Sequence, residues 1–435
     1  MKYLALFFLS SLSLFAADHK TSQGERAKHQ REREYFQREE HKNQVSWWDG
    51  THMTGDWGEM RASLARAGIT LASSFVTDMV GNPVGGKARG FAYAGSYGLS
   101  INIDFTPVGW DGFEMFSSAV WRTGTSLSMR KIDNQFPVQQ VFGSQTVKLN
   151  ELYLIQTLCN GNLAFKAGRL DPCNDFLASP LYWMFVSNAF DGNPISVFFN
   201  VPITAYPNPT WGAYLFFKPF PRLSAKLGVY NANSNINKNK YHGVNFTFKS
   251  TNGVIWITEW CALINQEKED HGMPGNYKIG FFYLTGDKTL FLGGKERGDP
   301  CFYLLFDQMV YRLGAPGSGR GLTPFVSFVF QPTNRNLFPF FFDGGFVFRG
   351  PFASRPKDAI DLGIAYGKYS KDKAEADQQQ GNEPQNFETV IELNYWAQIN
   401  PWFTIVPDLQ YIIHPKGRDI PNAFVIGVQI GIDLW

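Results

Sequence analysis

Apolar and polar residues alternate with a two-residue period along most of the chain from Ile69 to the C-terminus. The pattern is clearest in SYGLSINIDF (96–105), LSAKLGV (223–229), GVNFTFK (243–249) and AFVIGVQIGIDL (423–434). One face of each segment is aliphatic or aromatic, and the other carries Gly, Ser, Asn, Lys or an acid. Such alternation predicts antiparallel strands that have one apolar and one polar face.

A soluble β-sandwich shows the same alternation as a membrane-spanning β-barrel. The lengths of the links between the segments help to distinguish the two. Short links at 108–111, 160–162, 219–221 and 251–253 alternate with longer polar stretches around 124–145, 171–209, 233–240 and 369–386. Short turns on one side and long loops on the other are typical of an outer-membrane barrel. Trp and Tyr near the segment ends favour the aromatic girdles of such a barrel, for example Trp110, Trp121, Tyr214 and Trp402.

In lipid, every backbone N–H and C=O needs a partner within the protein, so a membrane-spanning sheet has to close on itself. We count about seventeen strand-like segments between Ile69 and Trp435, and a single-chain barrel needs an even number. We therefore predict a transmembrane antiparallel β-barrel of sixteen strands over 69–435. One of the seventeen segments is therefore in excess, and we expect it within 276–348, which is too uniformly apolar to give a register. A barrel of this size encloses a water-filled channel rather than a packed core.

The N-terminal region predicts export. A lysine, a short apolar core and Ala16-Ala17 together predict a signal peptide over 1–17, followed by a charged periplasmic arm over 18–46. In the short helical segment 47–68, Asp56 is expected to cap a helix over 57–67 that Gly68 ends. After the first sixteen residues no apolar run reaches the ~18 residues of a spanning helix, which excludes a polytopic helical membrane protein.

Composition excludes several other classes of protein. Lys and Arg total 40 against 38 Asp and Glu, and they form no stripe, so no nucleic acid is expected as a partner. The cysteines have no metal-binding spacing, and no cofactor or metal is expected. Export permits disulfides, so pairing and buried thiols stay equally open for Cys159, Cys173, Cys261 and Cys301.

The stretch 171–209, which begins at Asp171, lacks alternation and is too long for an ordinary link. It is rich in aromatic residues, so we expect it to fold into the barrel and narrow the pore. An outer loop that packs on a neighbouring subunit is the alternative. Tyr182 and Trp183 are candidates for stacking against sugar rings, although a structural packing role fits them equally well.

Polar rows of the predicted strands supply the other lumen candidates. A charge at the lipid midplane costs up to about 2–4 kcal/mol, so these groups should face the lumen. The acidic and amide candidates are Glu392, Asn394, Asp408 and Gln410, and the basic candidates are Arg122, Lys166 and Arg169. Lys166 and Arg169 have opposite parity, so both face inward only if Gly168 bends the strand.

Four segments of the chain are distinctive: TGDWGEMRASLARAGI (54–69), LNELYLIQ…LAFKAGRLDP (149–172), SRPKDAIDLGIAYG (354–367) and IELNYWAQINPWFTIVPDLQYIIHP (391–415). In these segments the chain resembles a known family, the carbohydrate-selective porins of the OprB type. The resemblance runs from about Thr54 to the C-terminus. It implies a sixteen-stranded porin of the bacterial outer membrane that favours sugars.

We therefore expect a passive, non-enzymatic diffusion channel for glucose-like carbohydrates and similar small polar solutes. Weak, multiple contacts suit such a channel better than one tight site. Outer-membrane lipid is the expected surrounding, and the fold is compatible with a homo-oligomer. The alternative is a general or anion-preferring porin of the same fold, which is favoured if Lys and Arg in the lumen outnumber the acids. A barrel enzyme lacks a recognisable catalytic trio.

Overall fold

The computed structural model describes residues 46–435, except for Asp191, Ser250 and 267–269. The predicted signal peptide and the charged arm up to residue 45 therefore lie outside the described residues. Within the described residues, no helix has the length and apolarity that a membrane crossing requires.

Sixteen antiparallel strands form one sheet. They are β1 (Ile69–Val84), β2 (Gly90–Asp104), β3 (Phe113–Gly124), β4 (Thr146–Leu158), β5 (Leu163–Leu170), β6 (Thr210–Phe220), β7 (Leu223–Asn231), β8 (Val254–Ile264), β9 (Gly275–Thr289), β10 (Lys295–Gln308, continued by Tyr311–Arg312), β11 (Gly321–Phe330), β12 (Phe340–Arg349), β13 (Ala359–Lys368), β14 (Phe387–Asn400), β15 (Phe403–Ile413) and β16 (Ala423–Asp433).

The helices are short and lie in the links. The α-helices are α1 (Met60–Arg66), α2 (Pro172–Asp175), α3 (Ser196–Asn200) and α4 (Lys371–Gln379). Single 3₁₀ turns occur at Trp47–Asp49, Thr106–Val108, Cys159–Gly161, Tyr182–Met184, Asn188–Phe190, Ser234–Asn237, Asn239–Tyr241 and Pro415–Gly417, and Ser128–Ile132 forms a π turn.

The sheet closes into a barrel because the first strand pairs with the last. Ser74 lies opposite Asp433, and the ladder continues to Val84 opposite Phe424. Every other strand pairs with its neighbours in sequence, and both parts of β10 pair with β11. Closure leaves no unpaired edge in the membrane. The predicted sixteen-stranded barrel is confirmed.

The over-count among the seventeen predicted strands falls at 243–249 rather than in the stretch 276–348. GVNFTFK alternates in sequence, but the segment is not a strand and belongs to one long link, 232–253. The short link predicted at 251–253 is therefore the end of a long loop. The other long links, 125–145, 171–209 and 369–386, leave the same end of the barrel.

Alternation assigns the two faces of the wall as predicted. In β16, Ile426 is 52% exposed on the outer face while its neighbour Val425 is fully buried on the inner face. Trp110 and Trp121 are exposed, as a girdle requires, but Tyr214 and Trp402 are buried and the prediction for them is wrong. Tyr214 lies in the inner row near Lys166, and Trp402 packs against Trp47 with ring centroids 4.7 Å apart.

The segment before β1 holds the C-terminus. The backbone N–H groups of Met53 and Thr54 donate to the carbonyls of Asp433 (3.0 Å) and Leu434 (3.1 Å). The helix begins at Met60 rather than Trp57, and the expected Asp56 cap is wrong. Trp57 and Glu59 have positive φ values of 55° and 69°, which keep the chain out of helical geometry before Met60.

The structure has the four cysteines as thiols, with Cys159 exposed and the other three buried. The sequence left disulfides and free thiols open, and the structure has free thiols.

We expect depth in the membrane to govern the cost of charge on the outer face. Leu227 is exposed in the middle of β7, and Phe220 is exposed at the end of β6 near the turn. Leu227→Arg should lower the free energy of unfolding by about 2–4 kcal/mol, and Phe220→Arg by about 0–1 kcal/mol. Denaturant titration in liposomes measures both. Equal losses would contradict the assignment of this face to lipid.

Candidate functional site: the lumen and its inward loops

The link 171–209 lies inside the barrel. It leaves β5 through Asp171 and α2, and its aromatic side chains pack against the inner wall. Phe176, Phe185 and Phe190 are buried, and the ring centroids of Phe185 and Phe190 are 4.5 Å apart. Burying this apolar surface in place of water favours the inward position. The second long link, 125–145, packs beside it through Phe136 and Val138.

Glu392 on β14 attaches the middle of the 171–209 loop to the wall. Its carboxylate accepts the backbone N–H of Val186 at 2.6 Å and that of Ser187 at 3.0 Å. The next inward residue, Asn394, donates from Nδ2 to the Met184 carbonyl at 3.0 Å and to Glu392 Oε1 at 3.0 Å. Hydrogen bonds to charged groups contribute about 1.5–3 kcal/mol each. Glu392 and Asn394 together fix the loop at 184–187.

Glu388, two inward positions before Glu392 on the same strand, attaches the 125–145 loop. Its two oxygens accept the backbone N–H groups of Gln135 and Phe136, both at 2.7 Å. The backbone N–H of Lys416 also donates to this carboxylate. One buried carboxylate thus satisfies three backbone donors from two different links.

The start of the 171–209 loop is fixed from the opposite side of the barrel. Glu259 on β8 accepts the backbone N–H of Leu177 at 2.9 Å and the hydroxyl of Tyr303 at 3.1 Å. Lys278 on β9 donates to the carbonyl of Ala178 at 2.6 Å. The wall therefore supplies a carboxylate for a loop N–H and an ammonium for a loop carbonyl.

Tyr182 and Trp183 are adjacent in sequence but lie in different surroundings. The Tyr182 hydroxyl donates to Asp343 Oδ1 at 2.9 Å, and burial raises the pKa of this tyrosine well above its usual value. Its ring packs edge-on against Phe325 at 5.6 Å. Trp183 is half-buried and packs over Gly192, where an added Cβ would lie 2.6 Å from the indole.

Asp408 and Gln410 on β15 face the lumen beside Glu392. Gln410 Nε2 donates to the carbonyl of Val138 at 3.0 Å and to Asp408 Oδ2 at 2.7 Å. Where β16 pairs with β1 to close the barrel, Gln429 Nε2 donates to Asp78 Oδ1 at 2.9 Å. Gln410 thus holds the 125–145 loop together with Glu388.

Lys166 and Asp171 belong to a buried ionic cluster at the base of the 171–209 loop. Lys166 Nζ lies 3.1 Å from Asp175 and 4.0 Å from the ring centroid of Tyr153. Glu151 accepts the backbone N–H of Asp171 at 3.0 Å. Burial, and then the nearby charge of Glu151, raise the pKa of the Asp171 carboxyl well above its usual value.

Arg122 faces inward beneath the 125–145 loop. Its guanidinium lies 5.1 Å from the ring centroid of Tyr206 and donates to the Gln140 carbonyl at 3.5 Å. It therefore lies between the two inward links, on the same side of the lumen as Lys166.

Arg169 does not face the lumen, because Gly168 does not turn it inward. Arg169 lies opposite Leu152 and Trp211 in the ladders, in the outward row, yet it is fully buried. The segment 243–246 covers it: Arg169 Nη1 donates to the carbonyl of Gly243, and the Phe246 ring centroid is 5.2 Å from the guanidinium. Trp211 Nε1 donates to the Phe246 carbonyl at 3.2 Å.

Sequence reasoning missed Asp78, Glu259 and Asp343, which belong to the same inner rows. A signal for them exists in the sequence. Glu259 in VIWITEWCALI and Asp343 in FFFDGGFVF are lone carboxylates in apolar strands. Because a lipid-facing charge is costly, a lone acid in such a strand indicates the inner row.

Among the described residues, buried acidic side chains outnumber buried basic ones by more than two to one. Much of this negative charge faces backbone N–H groups, as at Glu388 and Glu392, or an ammonium, as at Asp175. Loop N–H groups thus face charge that the wall carries at Glu388 and Glu392, whereas at Asp175 the wall residue Lys166 faces a charge on the loop.

Comparison with known proteins identifies the family. The family model described as "Carbohydrate-selective porin, OprB family" matches residues 88–434. The chain belongs to this family. It is therefore a porin of the bacterial outer membrane through which carbohydrates and similar small polar solutes diffuse. This membership confirms the resemblance found in the sequence, and it implies a channel rather than an enzyme.

Individual relatives cover nearly the whole chain. Porin B of Pseudomonas aeruginosa is 27% identical over 87% of this chain and 90% of its own length. The putative porin QuiX of Acinetobacter baylyi is 25% identical over 89% of this chain and 94% of its own length. The high-pH structure of Pseudomonas putida OprB superposes with a TM-score of 0.83 at 25% identity, over 89% of this chain and 100% of that one.

We expect Glu392→Ala to loosen the 171–209 loop, because two backbone donors lose a charged acceptor worth about 1.5–3 kcal/mol each. Single-channel recording in planar bilayers should show a larger and noisier conductance. Glu392→Gln should give a smaller change than Glu392→Ala, since the amide oxygen still accepts one backbone N–H while the amide NH2 faces the other. Glu114→Ala is the control, because this carboxylate bonds Asn102 within the wall. Unchanged conductance in Glu392→Ala would contradict the attachment.

We expect Arg169→Met to leave conductance unchanged, since Arg169 lies outside the lumen. The variant should instead free the 232–253 link, so that trypsin cuts at Lys238, Lys240 or Lys249 several-fold faster. Limited proteolysis of the protein in liposomes measures this rate, with Arg130→Met in the 125–145 link as the control. A change in conductance without faster cleavage would contradict this placement and show that Arg169 faces the lumen.

Proposed function

We propose that sugars diffuse through the passage left between the inner wall and the two inward loops. The observation that carries this proposal is the use of wall carboxylates and amides to hold loop backbone, as at Glu392 and Gln410. The passage then offers carbonyls, hydroxyls and amides more than unpaired charges. Such groups exchange hydrogen bonds with a neutral solute in place of water, and each contact is weak enough to release it.

We assign the sequence candidates to two parts of this passage. Glu392, Asn394, Asp408 and Gln410 form one polar side and hold the loops in place. Arg122, Lys166 and Asp171 form the facing side near the base of the 171–209 loop. Trp183, which is half-buried, is the aromatic surface of the loop offered to a sugar ring, whereas Tyr182 serves as an anchor on Asp343.

The charge balance does not favour the anion-preferring alternative. That alternative calls for an excess of Lys and Arg in the lumen, whereas buried acids are in excess among the described residues. On the outer face, we propose that acyl chains of the outer membrane contact the apolar row that includes Leu227 and Ile426.

Sugar flux and ion selectivity together test this function. Liposome swelling should be fast with a monosaccharide and several-fold slower with a trisaccharide, because the inward loops narrow the passage. Under a KCl gradient the reversal potential should lie on the cation-selective side of zero. Strong anion selectivity with no sugar permeation would contradict the proposal.

A further inference from the structure

A cavity of about 260 Å³ lies inside the barrel on the side of the C-terminus. Asp433 and Trp435 line its mouth, and Ser73, Ser100 and Phe116 line its wall. This end carries the short turns, so it is the periplasmic end of a porin. The cavity is separate from the contacts of Glu392 with the middle of the 171–209 loop. Its volume is near the lower end of the ~300–1,000 Å³ typical of small-molecule sites.

The polar lining consists mainly of hydroxyl and amide groups. Ser118 Oγ accepts Asn150 Nδ2 at 3.2 Å and the backbone N–H of Glu151 at 3.2 Å, so its own proton is left to donate. Asn150 Oδ1 is buried and has no hydrogen-bond partner among the described residues. Ser73 lies opposite Leu99 in the outward row, so its hydroxyl faces away from the lumen. Buried polar atoms in native proteins are nearly always paired, so the Asn150 oxygen calls for a hydroxyl-bearing occupant.

An aromatic wall faces these polar groups. The rings of Phe116 and Tyr153 are stacked, with centroids 5.0 Å apart and planes 25° from parallel, and both residues line the cavity. A lining of aromatic rings with a few placed polar groups is the usual composition of a small-ligand site. A pyranose presents C–H groups on its faces and hydroxyls around its edge, which matches this division of the lining.

The charged groups around the cavity are already matched within the protein. Lys166 pairs with Asp175 at 3.1 Å, and Glu151 accepts the Asp171 N–H and, at 3.2 Å, Asn174 Nδ2. At the mouth, His52 contacts Arg61 at 3.1 Å, and burial followed by the Arg61 charge lowers the pKa of His52 to about 4. His52 is therefore neutral at pH 7, and the charge of Arg61 at the mouth is opposed by the nearby Asp56.

We propose that this periplasmic cavity is a saccharide-binding subsite that takes a neutral monosaccharide as it leaves the constriction. The proposal rests on the proposed function, because the sugar reaches the subsite through the passage. A subsite at this end holds the solute after the narrowest part of the route, and weak binding there allows release into the periplasm.

Saturation-transfer NMR with D-glucose and the porin in detergent micelles tests the subsite. We expect saturable transfer to glucose, and an apparent dissociation constant about three- to tenfold higher in Asn150→Leu and Phe116→Leu. Ser224→Ala, a buried inner-row serine on β7 away from the cavity, should bind as wild type does. Glucose 6-phosphate should not compete. Circular dichroism and thermal unfolding identify any variant that fails to fold.

Liposome swelling of the same variants separates this proposal from the one on which it rests. Unchanged glucose binding in folded Asn150→Leu and Phe116→Leu would overturn the subsite, and so would linear, unsaturable transfer in the wild type. If glucose still enters liposomes in that case, the passage stands without the subsite. If glucose fails to enter at all, the proposed passage fails as well.

Discussion

Carboxylates in a lipid-embedded β-wall have to face the lumen, and there they meet backbone N–H groups of the inward loops. Lipid excludes charge from the outer row, and water would solvate the same charge inside an open barrel. In this porin, the loops take the place of much of that water. Glu388, Glu392 and Glu259 accept loop N–H groups from opposite sides of the lumen. The geometry of the passage depends on these contacts.

These contacts also explain how two links can fill part of the lumen of so wide a barrel. Sixteen strands enclose more space than inward side chains fill. The 171–209 and 125–145 links occupy part of that space with a core of aromatic side chains that includes Phe136 and Phe185. Apolar packing places these links inside, and the carboxylates fix where their backbones lie.

Alternation predicts the wall well because successive side chains of a strand point to opposite faces. A charged residue on the lipid-facing side is energetically costly, so the two faces differ clearly in sequence. Alternation fails at 243–249, where Val244, Phe246 and Phe248 alternate although the segment is a loop over Arg169. Alternation predicts that a segment is extended and amphipathic, but it does not predict whether the segment pairs with neighbouring strands. The sequence places Glu392 in the inner row. It does not predict that Val186 and Ser187 donate to this carboxylate, because they are distant in sequence and carry no recognisable signal.

Hydrogen exchange of the backbone N–H groups of Val186 and Ser187, measured on the porin in lipid nanodiscs, tests the central claim most directly. If Glu392 holds the loop, both N–H groups should exchange as slowly as those in the neighbouring ladder of β14, and faster by orders of magnitude in Glu392→Ala. Exchange in the wild type as fast as at the exposed turn near Gly381 would show that the carboxylate does not hold the loop.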